Sequence, residues 1–351
     1  MNKTLNLKAI DFFCGAGGMT HGLIQSGISV IAGIDCDPTC KKTYETNNNS
    51  KYIQTDISTF HENELSSFIN KNDDSLIFVG CAPCQFYSKV NTDKNKSIKS
   101  KSLLEEFQRF VAFFNPGYIV VENVPGFMKK KDENIHSNFI TFLKEHLYNF
   151  DEKIVCLTKY GIPQHRTRYL LIASRIGNIK LPQEKSNSLT VRDFLGEHNG
   201  FQKISDGHKD NSNFLHTAAI LSKQNKERIK ITKKDGGTRL CWSDSELQIP
   251  AYKGKDHFFK DVYGRMHWDK PAPTITTRFN SLSNGRFGHP EEDRAISLRE
   301  GATLQTFPKD YQFLSSSNAI ISKHIGNAVP PELAKKLGQT IVDHFCKFHN
   351  N

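Results

Sequence analysis

The feature that most constrains this chain is its opening. An apolar run, Leu7 to Phe13, passes straight into Cys14-Gly15-Ala16-Gly17-Gly18, and the helical spacing of Met19 to Ser26 leads to a second apolar run, Ser29 to Ile34. Strand, glycine turn, helix and strand in that order make a βαβ unit. Its glycines let the backbone come close to a bound group and aim helix-terminal N–H groups at it. An ordinary tight turn would use the same glycines, so the loop alone does not establish a ligand. Asp35 follows the second strand ~20 residues on, where a carboxylate can accept both hydroxyls of a ribose. The dinucleotide fingerprint is incomplete, since its third glycine falls at Thr20, which counts against a hydride-transfer enzyme. Thr55-Asp56-Ile57, after a third short strand, offers a further acid for an adenine amine, although Asp at a strand end is also a common helix cap.

The alternation continues. Leu76 to Val79 and Gly117 to Val121 read as buried parallel strands, Leu103 to Phe114 and Ile135 to Tyr148 as helices, so the expected fold is α/β with a doubly wound sheet. After Leu170-Leu171-Ile172 the character changes, because Lys185 to Trp268 is polar and shows no sustained alternation. A chain of 351 residues exceeds what one core fills comfortably. We therefore expect a catalytic and cofactor-binding domain over residues 1–182, a smaller irregular domain over 183–278, and a segment 279–351 returning to the first. That return would end in an amphipathic helix, with Leu333, Leu337, Ile341 and Phe345 at helical spacing behind Pro330-Pro331.

No apolar run approaches the ~18 residues of a membrane span, and Met1 to Thr4 lacks a cleavable signal pattern, so a cytoplasmic protein is expected. The eight cysteines are scattered rather than framed for disulfides, which suits reduced thiols. A formal charge of +10 suits a polyanionic partner, as it equally suits a protein kept soluble by surplus lysines.

One cysteine stands apart. Gly80-Cys81-Ala82-Pro83-Cys84-Gln85 follows the buried strand at Leu76 to Val79, which puts Cys84 on a loop at the carboxyl edge of a parallel sheet, where ligands bind. A redox couple or half of a zinc site would need partners that the remaining cysteines do not supply. A zinc nucleobase deaminase would need a cysteine where Tyr87 stands, and its His-x-Glu should precede that pair, whereas His289-Pro290-Glu291 follows it. A lone nucleophilic thiol remains, and no metal is expected.

Pro83-Cys84-Gln85 resembles the catalytic motif of the DNA cytosine-C5 methyltransferases, and further motifs follow in that family's order. Phe13 to Gly18 is similar to its cofactor loop, Glu122-Asn123-Val124 to its glutamate motif, and Gln164-His165-Arg166-Thr167-Arg168 to its paired arginines. Arg299 with Leu304 to Pro308, then Gly326-Asn327-Ala328-Val329-Pro330-Pro331, resemble its closing motifs. The resemblance implies a Rossmann-like S-adenosylmethionine-dependent methyltransferase sheet with a smaller target-recognition domain.

It also implies roles. Cys84 would add to C6 of cytosine while Glu122 protonates or hydrogen-bonds N3 and the exocyclic amine; Arg168 would hold O2, and Arg166 would support the phosphate or the active loop. Phe13 would stack on the adenine of S-adenosylmethionine beside Gly15, Gly17 and Gly18, Asp35 would take the ribose and Asp56 the adenine amine. Asn327 and Ala328 would close that site. The base must be flipped from double-stranded DNA to be reached, and the lysine-bearing stretch Tyr87 to Lys101 is the expected lid.

Lys185 to Trp268 would be the target-recognition region. Lys226, Arg228, Lys230, Lys233 and Lys234 cluster there, with Arg239, Arg265 and Arg278 beyond them; the lysines would hold phosphates and one or more of the arginines would read guanine edges, Arg239 and Arg265 being the first to try. Three rivals are weaker. The tRNA-methylating branch of the family carries a Cys-Phe-Thr triplet absent here; an inactive DNA-binding regulator would not need Cys84, Glu122 and Arg168 together; an NAD-dependent oxidoreductase leaves Cys84 unexplained. The compact layout suggests a bacterial or phage modification enzyme, with a cognate restriction endonuclease as a functional companion.

Overall fold

Short apolar runs set a seven-stranded sheet. The computed structural model describes residues 6–82, 94–129 and 135–349, with side chains for 103–128 within the middle stretch. Strands β1 (Lys8–Phe12), β2 (Ser29–Asp35), β3 (Lys51–Gln54), β4 (Leu76–Gly80) and β5 (Tyr118–Asn123) pair in parallel. Every residue of β4 and β5 is buried, which is why both read as continuous apolar runs: helices cover both faces of such a sheet. These helices are α1 (Gly18–Gln25), α2 (Lys41–Asn47), α3 (Lys94–Phe114), α4 (Gly126–Lys129) and α5 (Ile135–Glu145).

Beyond β5 one strand of the sheet runs against the direction of the others. β6 (Asn149–Cys156) is an edge strand, and β7 (Gln164–His165) belongs to a separate small pair. β8 (Thr167–Ser174) inserts between β5 and β6 antiparallel to both, giving the order β3-β2-β1-β4-β5-β8-β6. A buried antiparallel strand shows the same apolar run as a parallel one, so Leu170 to Ile172 could not reveal its direction. β6 escaped notice because its largely half-exposed sequence carries Asp151, Glu152 and Lys153. Helix α5 stops at Glu145 rather than Tyr148, since Leu147 takes a left-handed φ of 60°. From Lys94 onward the expected lid stretch is the start of α3, and its residues 87–93 lie outside the described ones.

The order reverses between β1 and β4, and their ends are in register, Phe12 beside Gly80. Such a switch point opens a crevice at the carboxyl edge. The glycine loop leaves β1 there, and the chain leading to Cys84 leaves β4 there.

Contacts divide the chain into two units: Met1–Cys156 with Thr167–Glu184 and Val329–Asn351, and Leu157–Arg166 with Lys185–Ala328. In the first, α9 (Pro331–His349) lies along α1 at close approach, because a Cβ on Gly22 would meet the Pro331 carbonyl oxygen at 2.2 Å and one on Gly338 would meet Ser26 Oγ at 2.1 Å. Only from Val329 does the late segment join this unit. The expectation that all of 279–351 does so is corrected, since Phe279, Phe287, Leu298, Leu304, Phe307 and Ile325 close the core of the second unit instead.

That second unit has little regular structure: α6 (Lys223–Ile231), α7 (Leu298–Leu304), α8 (Asn318–Asn327), and β7 paired in parallel with β9 (Ala272–Pro273). Without ladders, its buried carbonyls need other donors. Four fully buried arginines, Arg239, Arg265, Arg294 and Arg299, supply them. Arg299 alone donates to the carbonyls of Phe214, Pro308, Asn213 and Tyr311. This explains how a polar, irregular sequence encloses a core.

Candidate functional site

At the switch point the β1–α1 turn is held by backbone geometry. Gly15 (φ 51°) and Gly17 (φ 91°) occupy left-handed conformations that glycine adopts without strain, and Phe13 (φ 61°) is forced into one as well. Gly18 begins α1. The Phe13 ring is half-buried against the main core. Asp35, at the end of β2, accepts from Gly15 N at 2.9 Å through Oδ2 and from Asp37 N at 2.9 Å through Oδ1, so one carboxylate fixes both the glycine turn and the end of its own strand. Asp56 is exposed beyond β3, where Oδ1 accepts from Ser58 N and Ser58 Oγ at 3.0 and 2.7 Å. These bonds close a turn over residues 57–59, and no helix starts there for Asp56 to cap. Cys14, in the turn, is buried, and burial pushes its thiol well up, reinforced by Asp11 and Asp35. It is not a thiolate nucleophile.

Further along the same edge, β5 ends with Glu122 and Asn123. Because β8 runs antiparallel, its first residues lie beside the last residues of β5, with Asn123 opposite Tyr169 and Glu122 opposite Leu170. That direction reversal brings Arg168 to Glu122, Nε to Oε1 at 2.8 Å, with both side chains largely buried. Arg168 Nη1 donates to the Thr167 carbonyl oxygen at 2.8 Å. A planar fork in this position keeps its remaining nitrogen for a further acceptor. Cys84 lies outside the described residues, and the chain can be followed toward it as far as Cys81 and the buried Ala82.

Arg166, the residue before Thr167, belongs to the second unit. It is buried and donates to the carbonyls of Ile275 (3.0 Å), Gly326 (3.3 Å) and Ala328 (3.4 Å). These bonds hold the segment that carries Asn327 and Ala328, whereas the sequence suggests support of the phosphate or of the active loop. Two residues whose part the sequence did not disclose complete the framework. Gln164 Nε2 donates to Gln305 Oε1 at 2.7 Å, and Gln305 Nε2 donates to the carbonyls of Ile325 (2.6 Å) and Ala328 (3.3 Å). Buried amides with both ends engaged are a signal of this kind, visible only once partners are known.

Among the presumed DNA-reading arginines, Arg265 is fully buried and donates to the carbonyls of Thr232, His289, Glu292 and Ile229 and to Asp293. Arg239 is fully buried too, donating to the carbonyls of Lys255, Phe258 and Phe259. Neither has a free face for a base edge, so that assignment is overturned. Arg228 is likewise buried, on the Leu247 carbonyl. Lys230, Lys233, Lys234 and Arg278 are exposed; Lys230 pairs with Glu227 and Lys234 with Asp293, surface pairs that a phosphate can displace.

His289, Glu292 and Glu300 bring ligand-type atoms within 4.8 Å of one another. Arg294 occupies that space, with 2.7 and 2.8 Å bonds to Glu300 and further bonds to Glu292. Burial would raise the Glu300 carboxyl, yet the Arg294 guanidinium holds it well below the usual range; burial pushes His289 down to about 4. His289 Nδ1 accepts from the Glu291 and Glu292 backbone N–H groups at 3.3 and 3.0 Å. This is an ion-pair hub, and it also disposes of the deaminase reading of His289-Pro290-Glu291.

Residues 7–343 match the family described as C-5 cytosine-specific DNA methylase. The Type II methylase M.HgiDII of Herpetosiphon aurantiacus is 42% identical over 338 residues, covering 95% of this chain and 94% of its own. The Type II methyltransferase M1.BsuMI of Bacillus subtilis is 31% identical over 350 residues, covering 94% and 79%. In structure the chain is similar to a prophage-encoded E. coli protein assigned as a DNA modification methyltransferase, with a TM-score of 0.73 at 22% identity, covering 96% of this chain and 99% of that one.

Proposed function

Since the chain belongs to the C-5 cytosine-specific DNA methylase family, whose members methylate cytosine C5 in DNA, we propose that it acts on a base flipped out of a double-stranded site, with Cys84 as nucleophile and S-adenosylmethionine as donor. The observation that carries this reading is the Glu122–Arg168 pair, an acid and a planar cation converged at the carboxyl edge beside the strand that leads to Cys84.

A glycine turn with two left-handed residues, and a carboxylate at the end of the neighbouring strand, fit the adenosine half of the cofactor. Gly15, Gly17 and Gly18 would face it, Phe13 and Asp56 would take the adenine and Asp35 the ribose; Asn327 and Ala328 are assigned to the same cofactor by motif. When bound, the sulfonium supplies the methyl group to C5.

The chain's own residues prepare the base. Flipping costs a few kcal/mol of stacking and pairing, which binding of the rest of the site must offset. The Cys84 thiolate adds to C6, while Glu122 donates to or protonates N3 and holds the exocyclic amine, so that electron density reaches C5. Arg168 binds O2 through the nitrogen left over from its bonds to Glu122 and Thr167. Loss of the C5 proton to a base and expulsion of Cys84 then restore the ring. Arg166, Gln164 and Gln305 position the Gly326–Ala328 segment without touching substrate. Residues 185–268 supply target recognition, and the Type II names of the relatives point to a restriction-modification role alongside a cognate endonuclease.

Bisulfite sequencing of plasmid from a methylation-free host expressing the protein tests this. One short motif should carry 5-methylcytosine, and Cys84→Ala and Glu122→Gln should each erase it. A plasmid without methylated cytosine under conditions where the protein is folded would overturn the proposal.

A further inference from the structure

The segment from Pro250 to Asp261 departs from the rest of the second unit in what it shows to solvent. Phe258 and Phe259 are adjacent and remain 65% and 64% exposed, in a unit whose other aromatic side chains are largely enclosed. Large exposed apolar side chains set side by side among charges mark a contact surface rather than chance. Around them Lys253, Lys255, His257 and Lys260 are all exposed. The two acids of the segment are directed elsewhere, Asp256 to Arg239 and Asp261 to Arg286, so they leave the lysines' field largely intact.

The segment is also held in place. Buried Arg239 donates to the carbonyls of Lys255 (2.6 Å), Phe258 (2.8 Å) and Phe259 (3.3 Å), and its guanidinium lies over the Tyr252 ring at 4.9 Å. Phe259 is kept at φ 51°, a conformation that a bulky residue adopts only when its surroundings over-determine it. Three carbonyls gripped by one internal cation present two phenyl rings outward at small further loss of entropy. Preorganised aromatic display of this sort is what a binding surface requires.

We propose that residues 250–261 form a DNA-contacting arm, in which Phe258 and Phe259 make apolar contact with bases while Lys253, Lys255 and Lys260 hold the flanking phosphates. The occupant is duplex DNA because a polyanion complements the lysines and because base faces and thymine methyls offer the apolar surface that phenyl rings seek. It rests on the reading of DNA as substrate. The arm, not Arg239 or Arg265, then supplies part of the recognition assigned to this region.

The test uses the full chain and a duplex carrying the motif found by bisulfite sequencing, with affinity measured at several salt concentrations. Lys253→Gln/Lys255→Gln/Lys260→Gln should weaken binding and flatten the log–log salt slope by roughly 0.9 for each phosphate that is no longer neutralised. Phe258→Ala/Phe259→Ala should weaken binding roughly tenfold or more while leaving the salt slope unchanged. Independently of any variant, photo-crosslinking of the wild-type protein to the same duplex with 5-iodouracil in place of thymine should map to Phe258 or Phe259. Wild-type affinity and slope in both variants, crosslinks confined to other segments, or a Phe pair whose removal alters only self-association in sedimentation would each overturn the arm. Methylation by the wild-type protein tells this failure apart from failure of the underlying activity.

Discussion

Glu122 Oε1 and Arg168 Nε lie 2.8 Å apart, joining the end of one strand to the start of its antiparallel neighbour. Glu122→Gln keeps the shape and a hydrogen bond but removes the acid, so methylation should fall roughly 10²- to 10⁴-fold with little change in melting temperature. Arg168→Ala instead strands a largely buried carboxylate, which should cost the fold about 3 kcal/mol in addition to activity. Single-turnover methylation and thermal melting on the two variants separate these effects. Near-normal turnover by Glu122→Gln would remove Glu122 from the chemistry.

A second prediction concerns the nucleophile. DNA with 5-fluorocytosine at the target blocks loss of the C5 substituent, so the protein should be trapped as a covalent adduct through Cys84. Cys84→Ala should form none, and peptide mapping decides the attachment site. Cys14 is excluded in advance by its buried, raised thiol; attachment at Cys81 would defeat the assignment.

How far the sequence reaches is shown by particular residues. The glycine turn, Asp35 and the buried runs of β4 and β5 were legible because they follow local rules: glycine for left-handed backbone, a carboxylate at a strand end, apolar continuity where both faces are covered. Strand direction was not, since β8 buries its side chains identically whichever way it runs, and its reversal is what brings Arg168 to Glu122. Arginine was the most misleading letter. Its side chain reads DNA and satisfies carbonyls with the same five donors, and only the second unit's shortage of backbone ladders shows that Arg239 and Arg265 do the latter.

That reassignment has its own test. Arg265→Ala would leave the carbonyls of Ile229, Thr232, His289 and Glu292 without their donor, and charge-assisted bonds contribute about 1.5–3 kcal/mol each. The expected result is loss of cooperative melting or a drop of more than ~3 kcal/mol in denaturant stability. A stable variant that methylates relaxed sequences would restore Arg265 as a base reader.

The last prediction is a pH dependence rooted beneath the glycine turn. Asp11 is fully buried on β1; burial raises its carboxyl from 3.8 to about 7, against the 2.7 Å hydrogen bond from Thr20 Oγ1 and with Asp35 adding to the rise. Between those two values the folded chain holds a proton that the unfolded chain has released. Its contribution to stability is therefore greatest below pH ~4, declines toward pH ~7 with a slope of up to ~1.4 kcal/mol per pH unit, and is level above. Asp11→Asn can still accept from Thr20 and cannot titrate. Denaturant midpoints of the wild type should fall relative to those of Asp11→Asn as pH is raised from 5 to 8, the variant being the more stable at the upper end. Parallel profiles for the two proteins across that range would show that Asp11 does not titrate in this window.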